Sequence, residues 1–273
     1  MLYLHFSFTP MARSRTSPTQ QRLLRRLQQL TPGQIVRFTD FEELGLSAPA
    51  VASALNRLTR TGQVQRVAKG RYRVAPTGRF GLVPPSEQQV LESLLQAPAT
   101  GSLEYPTGVA IFNRLGLTTQ VPWEIEIATP RPKPAKQIGM VRVRYVRNAG
   151  AGRPEEVALR QLLDALRRIK RVPDARPAQL ITQLREKVQK LPAVDKRCLV
   201  TLALSYNPAT RALLGALLEE IGEQSLTPEL RQSLNPLTIY HLGLSAANLP
   251  NCHQWRIFSS KQSGSSAKRV TKP

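Results

Sequence analysis

The sequence predicts an α+β protein, mainly helical, with a small N-terminal module followed by a larger α+β C-terminal domain. Three observations predict it. Apolar residues recur at helical spacing through residues 19–61, and a hairpin signal follows at 64–74. Two strand-like alternations, at 123–128 and 140–146, flank a proline-rich connection. From Glu155 to Ile221 the pattern is helical with only short breaks. A chain of 273 residues suits one large domain or two smaller ones. The predicted divisions are a leader and basic arm over 1–18, a compact module over 19–80, a C-terminal domain over 86–258 and a basic tail over 259–273. The arm and the tail are expected to be disordered.

In chain order, residues 19–30 place Leu23, Leu24, Leu27 and Leu30 on one helical face, with Arg22, Arg25 and Arg26 outside. Thr31-Pro32-Gly33 ends that helix. Thr39-Asp40 is placed to cap a short helix over Phe41–Leu44, which Gly45 stops. Ser47 is the expected N-cap of a third helix running to Thr61, with Pro49 in its tolerant first turn. Val51, Leu55 and Leu58 face inward. Ala50, Ser53, Asn56, Arg57 and Arg60 fall largely on the opposite side. Val64, Arg66, Tyr72 and Val74 belong to two strands joined through Ala68-Lys69-Gly70-Arg71, where Gly70 supplies the positive φ of the turn. Helix, helix, helix, hairpin is the order of a winged helix-turn-helix.

Residues 77–85 read as a linker with two Gly and two Pro. A helix is predicted over Glu87–Leu95, a loop over Pro98–Pro106 and a short helix over Thr107–Leu115. Strands are predicted at Trp123–Ala128 and Met140–Val146. Helices follow at 155–170, 177–190, 193–205 and 208–221. Residues 237–258 give no clear pattern.

Charge narrows the partners. The formal net charge is +21, and Met11–Phe80 holds thirteen Lys/Arg against three acids, Asp40, Glu42 and Glu43. Nucleic acid and anionic membrane both suit such a chain. No apolar run reaches roughly 18 residues, so a membrane span is not predicted. The basic helices also lack the Trp or Phe of an interfacial helix. Double-stranded DNA is the better partner. In a helix-turn-helix the second helix of the pair enters the major groove. Here Asn56 suits adenine and Arg57 or Arg60 suits guanine or phosphate. Ser47 and Ser53 suit phosphate, as do Lys69 and Arg71 at the hairpin tip. A merely solvated polar face is the alternative for each residue taken singly.

Met1–Pro10 is apolar but lacks the cationic start and small-residue cleavage site of a signal peptide, and translation from Met11 is the simpler expectation. Cys198 and Cys252 have no Cys or His at metal spacing, so no metal or other cofactor is expected, and the low cysteine count suits a cytoplasmic protein. Enzymatic signatures are weak. The histidines His5, His241 and His253 have no apparent nucleophile. Gly101-Ser102 is not followed by the Asp-x-Asp that a nucleotidyltransferase needs for Mg²⁺. Glu124 and Glu126 with Lys133 and Lys136 suggest a nuclease only at poor spacing; solvated strand carboxylates are the commoner explanation.

Ile127–Pro154 holds seven Lys/Arg and no acid. Arg131, Lys133, Lys136, Arg142, Arg144 and Arg147 are therefore expected to form a second basic surface, because adjacent like charges on a strand ask for a nearby anion. That anion is DNA or an acidic partner. The segment YPTGVAIFNRLGLTTQVP (Tyr105–Pro122) reads as a short helix opening at Thr107-Gly108 and closing at Leu115-Gly116-Leu117, with Gly116 as a left-handed cap. Thr118, Thr119 and Gln120 then precede Pro122. They either face a partner or hold a buried loop.

This segment resembles the central motif of AbiE-type antitoxins, the transcriptional-regulator half of type IV toxin–antitoxin systems. The matching residues are Thr107, Gly108, Leu115, Gly116, Leu117, Thr118, Thr119, Gln120 and Pro122. Pro32-Gly33-Gln34, Thr39-Asp40-Phe41, Lys69-Gly70-Arg71-Tyr72 and Ser233-Leu234-Asn235-Pro236-Leu237 agree with it, over roughly residues 19–258. The resemblance implies a non-enzymatic antitoxin. Its winged helix would bind inverted repeats in its own promoter, and its C-terminal domain would counter a nucleotidyltransferase toxin encoded nearby, in phage defence. A winged-helix regulator or nucleic-acid-binding protein without a toxin partner is the alternative.

Overall fold

The computed structural model describes residues 17–31, 33–74, 76–79, 81–95, 103–131, 133–148 and 152–259. The Met1 or Met11 start, the arm up to residue 16 and the tail from residue 260 lie outside them, as do Pro32, Gly101 and Ser102. The architecture is mixed α+β, in two compact units that divide at Leu94/Leu95. The first unit also takes in Gln137–Met140.

In the first unit, helix α1 (Pro18–Gln28) begins inside the expected arm. Its start is explained by Ser17, whose hydroxyl accepts from the Gln20 N–H while the Gln20 side chain accepts from the Ser17 N–H. This is a capping box with proline in the first turn. Strand β1 (Val36–Arg37) leads into a 3-10 helix over Phe38–Leu44. There the Asp40 carboxylate accepts from the Arg37 N–H at 2.8 Å. Helix α2 (Ala48–Arg60) follows, then β2 (Gln65–Ala68) and β3 (Arg71–Arg73). The three strands pair antiparallel in the order β1-β3-β2. Leu23, Leu27, Phe41, Val51, Leu55, Leu58, Val64 and Tyr72 form one core. Each fully buried Leu or Phe there contributes about 2 kcal/mol. Leu24 and Leu30, expected inside, are only half-buried.

The expected linker at 77–85 is instead a two-stranded hairpin, β4 (Thr77–Gly78) with β5 (Gly81–Leu82). The Arg73 guanidinium, fully buried, donates to the Val83 carbonyl and to Gln65 Oε1. A buried cation needs such partners, and they tie the segment to β3. Helix α3 (Glu87–Leu95) groups with this unit, so the boundary falls later than the expected residue 86.

In the second unit β6 (Tyr105–Thr107) occupies the end of the expected loop and leads into α4 (Val109–Arg114). Strand β7 (Glu124–Thr129) pairs antiparallel with β6 and in parallel with β9 (Val141–Arg147). A short strand, β8 (Lys136–Ile138), lies in the connection between β7 and β9, where no strand was expected, and all but its first residue group with the first unit. The rest is helical. It comprises α5 (Val157–Arg167), α6 (Pro177–Gln189), α7 (Ala193–Ala203), α8 (Pro208–Glu220) and α9 (Pro228–Gln232). Helix α8 is buried on nearly all sides from Ala212 to Leu218, which makes it the centre of a Leu-rich core. The patternless stretch 237–258 holds a short parallel pair, β10 (Tyr240–His241) and β11 (Ile257–Phe258), with Trp255 buried against the core.

Candidate nucleic-acid interface

Helix α2 buries Val51, Ala54, Leu55 and Leu58, and Ser53, Asn56, Arg57 and Arg60 are exposed together on the remaining surface. The sequence reading of its two faces therefore matches the observed burial. Ser47 occupies the N-cap position, but its side chain makes no cap hydrogen bond, so its hydroxyl is not used by the helix. Among the described residues no carboxylate lies at salt-bridge distance from Arg57 or Arg60. Two of the three nearby acids are engaged elsewhere. Asp40 holds Arg37 at 3.3 Å and Glu43 holds Arg26 at 2.7 Å.

The hairpin tip divides. Lys69 is exposed in the turn, beside Gly70 at φ +70°. Arg71 departs from the expectation of a free tip residue. It is half-buried and donates to the Ser93 carbonyl at 3.3 Å. Arg73, which sequence reasoning passed over, is the buried member of this run, and burial pulls its pKa below the ordinary arginine value. The Arg71-Tyr72-Arg73 alternation gave no sign of it, because a charged side chain is expected outside.

In the second unit the expected basic surface is partly neutralised from within. The parallel register sets Glu124 beside Arg142 and Glu126 beside Arg144. Glu124 binds Arg144 Nε at 2.7 Å and lies 3.7 Å from Arg142 Nε. Glu126 binds Arg144 Nη2 at 2.9 Å and Arg168 Nη1 at 2.7 Å. Arg142 also stacks on the Trp123 ring at 5.0 Å. Lys133 bonds Glu104, and Lys133 and Lys136 both lie over Tyr145, at 5.3 and 5.2 Å. The anion that a row of arginines requires is thus supplied across the ladder, which corrects the reading of Arg142 and Arg144 as cations awaiting a partner. Arg131 and Arg147 are exposed and make no ion pair among the described residues.

The central motif is mostly architectural. Thr107 Oγ1 donates to Asp164 at 2.7 Å, and the Tyr105 and Tyr206 hydroxyls each reach the same carboxylate at 3.2 Å. Arg167 completes the shell at 2.9 Å. Burial and the Asp164 charge raise the pKa of both tyrosines, so both phenols stay protonated as donors. Gly108 has φ +76°, and a Cβ there would lie 2.5 Å from the Glu126 carboxyl carbon, so a side chain is excluded twice over. Leu117 is buried, and Gly116 closes α4 at φ +72°. Thr118 is buried and donates to the Pro173 carbonyl at 2.9 Å, which is the loop-holding role. Thr119 and Gln120 are exposed, and Pro122 is half-buried. Asp164, the hub of this network, was not singled out from the sequence; an Asp inside a helical stripe carries no local signal that three distant hydroxyl groups converge on it.

The chain belongs to a family of unknown function, DUF6088, whose profile matches residues 22–167, just over half of the 273 residues. No curated protein is significantly similar to it. Among solved structures, the RV2827C protein from Mycobacterium tuberculosis shares 17% identity over 83% of this chain and 85% of that one, with a TM-score of 0.49. Among the described residues no helix is long and apolar enough to cross a membrane.

Proposed function

We propose that this protein is a winged-helix DNA-binding regulator that represses its own promoter and serves as the antitoxin of a type IV toxin–antitoxin pair. The observation that carries the DNA-binding reading is the outer face of α2. Ser53, Asn56, Arg57 and Arg60 are exposed together there, and no intramolecular carboxylate among the described residues neutralises the two arginines. Asn and Arg are the side chains best shaped for bidentate contacts with adenine and guanine, and free cations release counterions when they meet phosphate. Lys69, on the turn between β2 and β3, suits the flanking backbone. The antitoxin half rests on the resemblance of Tyr105–Pro122 to the AbiE-type motif. The protein itself then needs no catalytic centre, because the chemistry belongs to the toxin.

A gel shift on the gene's own upstream region tests the first half. Wild type should bind, and an Asn56→Ala/Arg57→Ala/Arg60→Ala variant should not; equal binding by the two rules out α2 as the recognition helix. The second half is tested by co-expression with an adjacent nucleotidyltransferase gene. Growth arrest relieved by this protein is expected. Arrest that persists at full expression leaves a regulator without a toxin partner.

A further inference from the structure

A recess in the second unit lies outside the proposed DNA-reading surface. The end of β9, the turn that closes α5 and the start of α8 meet there around a cavity of about 480 Å³. Arg147, Arg167, Arg168, Lys170, Arg171 and Asn207 contribute its polar lining. No carboxylate lines it among the described residues.

The cations fall into two groups. Arg167 and Arg168 are tethered from behind by Asp164 and Glu126, at 2.9 and 2.7 Å. Those carboxylates are buried, with side-chain exposures of 0% and 7%. Tethered guanidiniums lose little freedom when they bind a ligand. Arg147, Lys170 and Arg171 are exposed and meet no carboxylate among the described residues. Cations at a helix C-terminus are ordinary, because they offset the helix dipole. That accounts for part of 167–171, but not for Arg147, which comes from β9. The start of α8 adds more positive character. Asn207 caps that 13-residue helix through a 2.9 Å bond from the Thr210 N–H, so the positive end of its dipole lies at the rim. Three separate elements therefore bring positive charge to one concavity.

The shape selects among anions. A duplex offers phosphates along a convex line, which suits a stripe of cations. Here the cations surround a recess whose volume falls in the roughly 300–1,000 Å³ range of small-molecule sites. Several fixed positive groups at short spacing match adjacent phosphates on one small ligand. We propose that this recess binds the adjacent phosphates of a small di- or triphosphate ligand.

The test uses the full chain, with ATP, AMP and inorganic pyrophosphate as titrants in calorimetry. Saturable binding of ATP and pyrophosphate is expected, with AMP weaker because it presents one phosphate. Arg147→Ala/Arg171→Ala should weaken ATP binding by about tenfold or more, as expected when two charge-assisted hydrogen bonds are removed. Arg142→Ala, on the paired sheet face, should bind ATP as wild type does. The substituted side chains are exposed, and a thermal melt checks folding; if the first variant melts early, Lys170→Ala alone serves in its place. Absence of ATP and pyrophosphate binding by wild type overturns the proposal. So does undiminished ATP binding by the folded variant. If the variant instead loses promoter DNA while wild type ignores ATP, the recess is a nucleic-acid surface. The α2 reading stands or falls separately, on its own gel shift.

Discussion

Helix α2 and strand β9 both display arginines at close spacing, yet the two regions are electrostatically different. Arg57 and Arg60 on α2 meet no carboxylate among the described residues, and two of the three acids on the 3-10 helix, Asp40 and Glu43, are taken by Arg37 and Arg26. Arg142 and Arg144 on β9 are matched in register by Glu124 and Glu126 on β7. Charge count alone therefore overstates what a basic segment offers to an outside anion. A free guanidinium brings its full counterion release to DNA; a paired one must first give up its carboxylate.

The largest expected effect breaks the α2 side of this comparison. The Asn56/Arg57/Arg60 triple alanine should lower promoter affinity by about a hundredfold or more, since each good bidentate contact contributes roughly 1–3 kcal/mol. Its plot of log affinity against log salt should also flatten by about 1–2, read by fluorescence anisotropy, because fewer phosphates are neutralised and fewer counterions released. Because these side chains are exposed, the melting temperature should not move.

The next effect probes the paired side. Glu126→Ala strips Arg168 and Arg144 of their shared carboxylate. Breaking a buried pair costs about 3–5 kcal/mol, but Arg144 is 47% exposed and water screens its share, so about 2 kcal/mol is expected by urea denaturation. Promoter affinity should stay unchanged. A fall in affinity as large as that of the α2 variant would mean that the sheet does meet DNA.

A third effect appears at alkaline pH. Tyr105 and Tyr206 have folded pKa values raised by burial and by Asp164. Their contribution to stability is complete below the unfolded value of about 10 and declines as pH rises past it, because the unfolded chain releases protons that the folded chain retains. Tyr206→Phe should flatten that decline in denaturation curves recorded across this range. The smallest effect is expected from Arg142→Ala/Arg144→Ala, with promoter affinity within about twofold of wild type, because exposed, already paired cations contribute little. A larger drop would restore these arginines as a binding surface.

Much of the fold was legible in the sequence. The two faces of α2, the strand alternation at β9 and the leucine stripe of α5 follow local periodicity, and the observed burial agrees with them, whereas β7 is buried continuously from Ile125 to Thr129. The hairpin at 77–82 was not legible, because its two glycines, followed by Pro84 and Pro85, read equally well as a linker. Nor was the burial of Arg73, whose partners Gln65 and Val83 are brought to it by strand pairing and chain return. In the central motif, the opening of a short helix at Gly108 and its closing at Gly116 were readable, but the crowding at Gly108 by Glu126 is a tertiary contact.

The sequence by itself determined which residues lie on which face of strongly periodic elements such as α2, α5 and β9, and that the chain is rich in positive charge. Those properties follow from helical and strand periods and from composition, which are local. Only the tertiary structure decided which of those charges are spoken for. An ion pair such as Glu126 with Arg168, or a hub such as Asp164, depends on chain segments tens of residues apart being brought within hydrogen-bonding distance. No spacing along the chain encodes that.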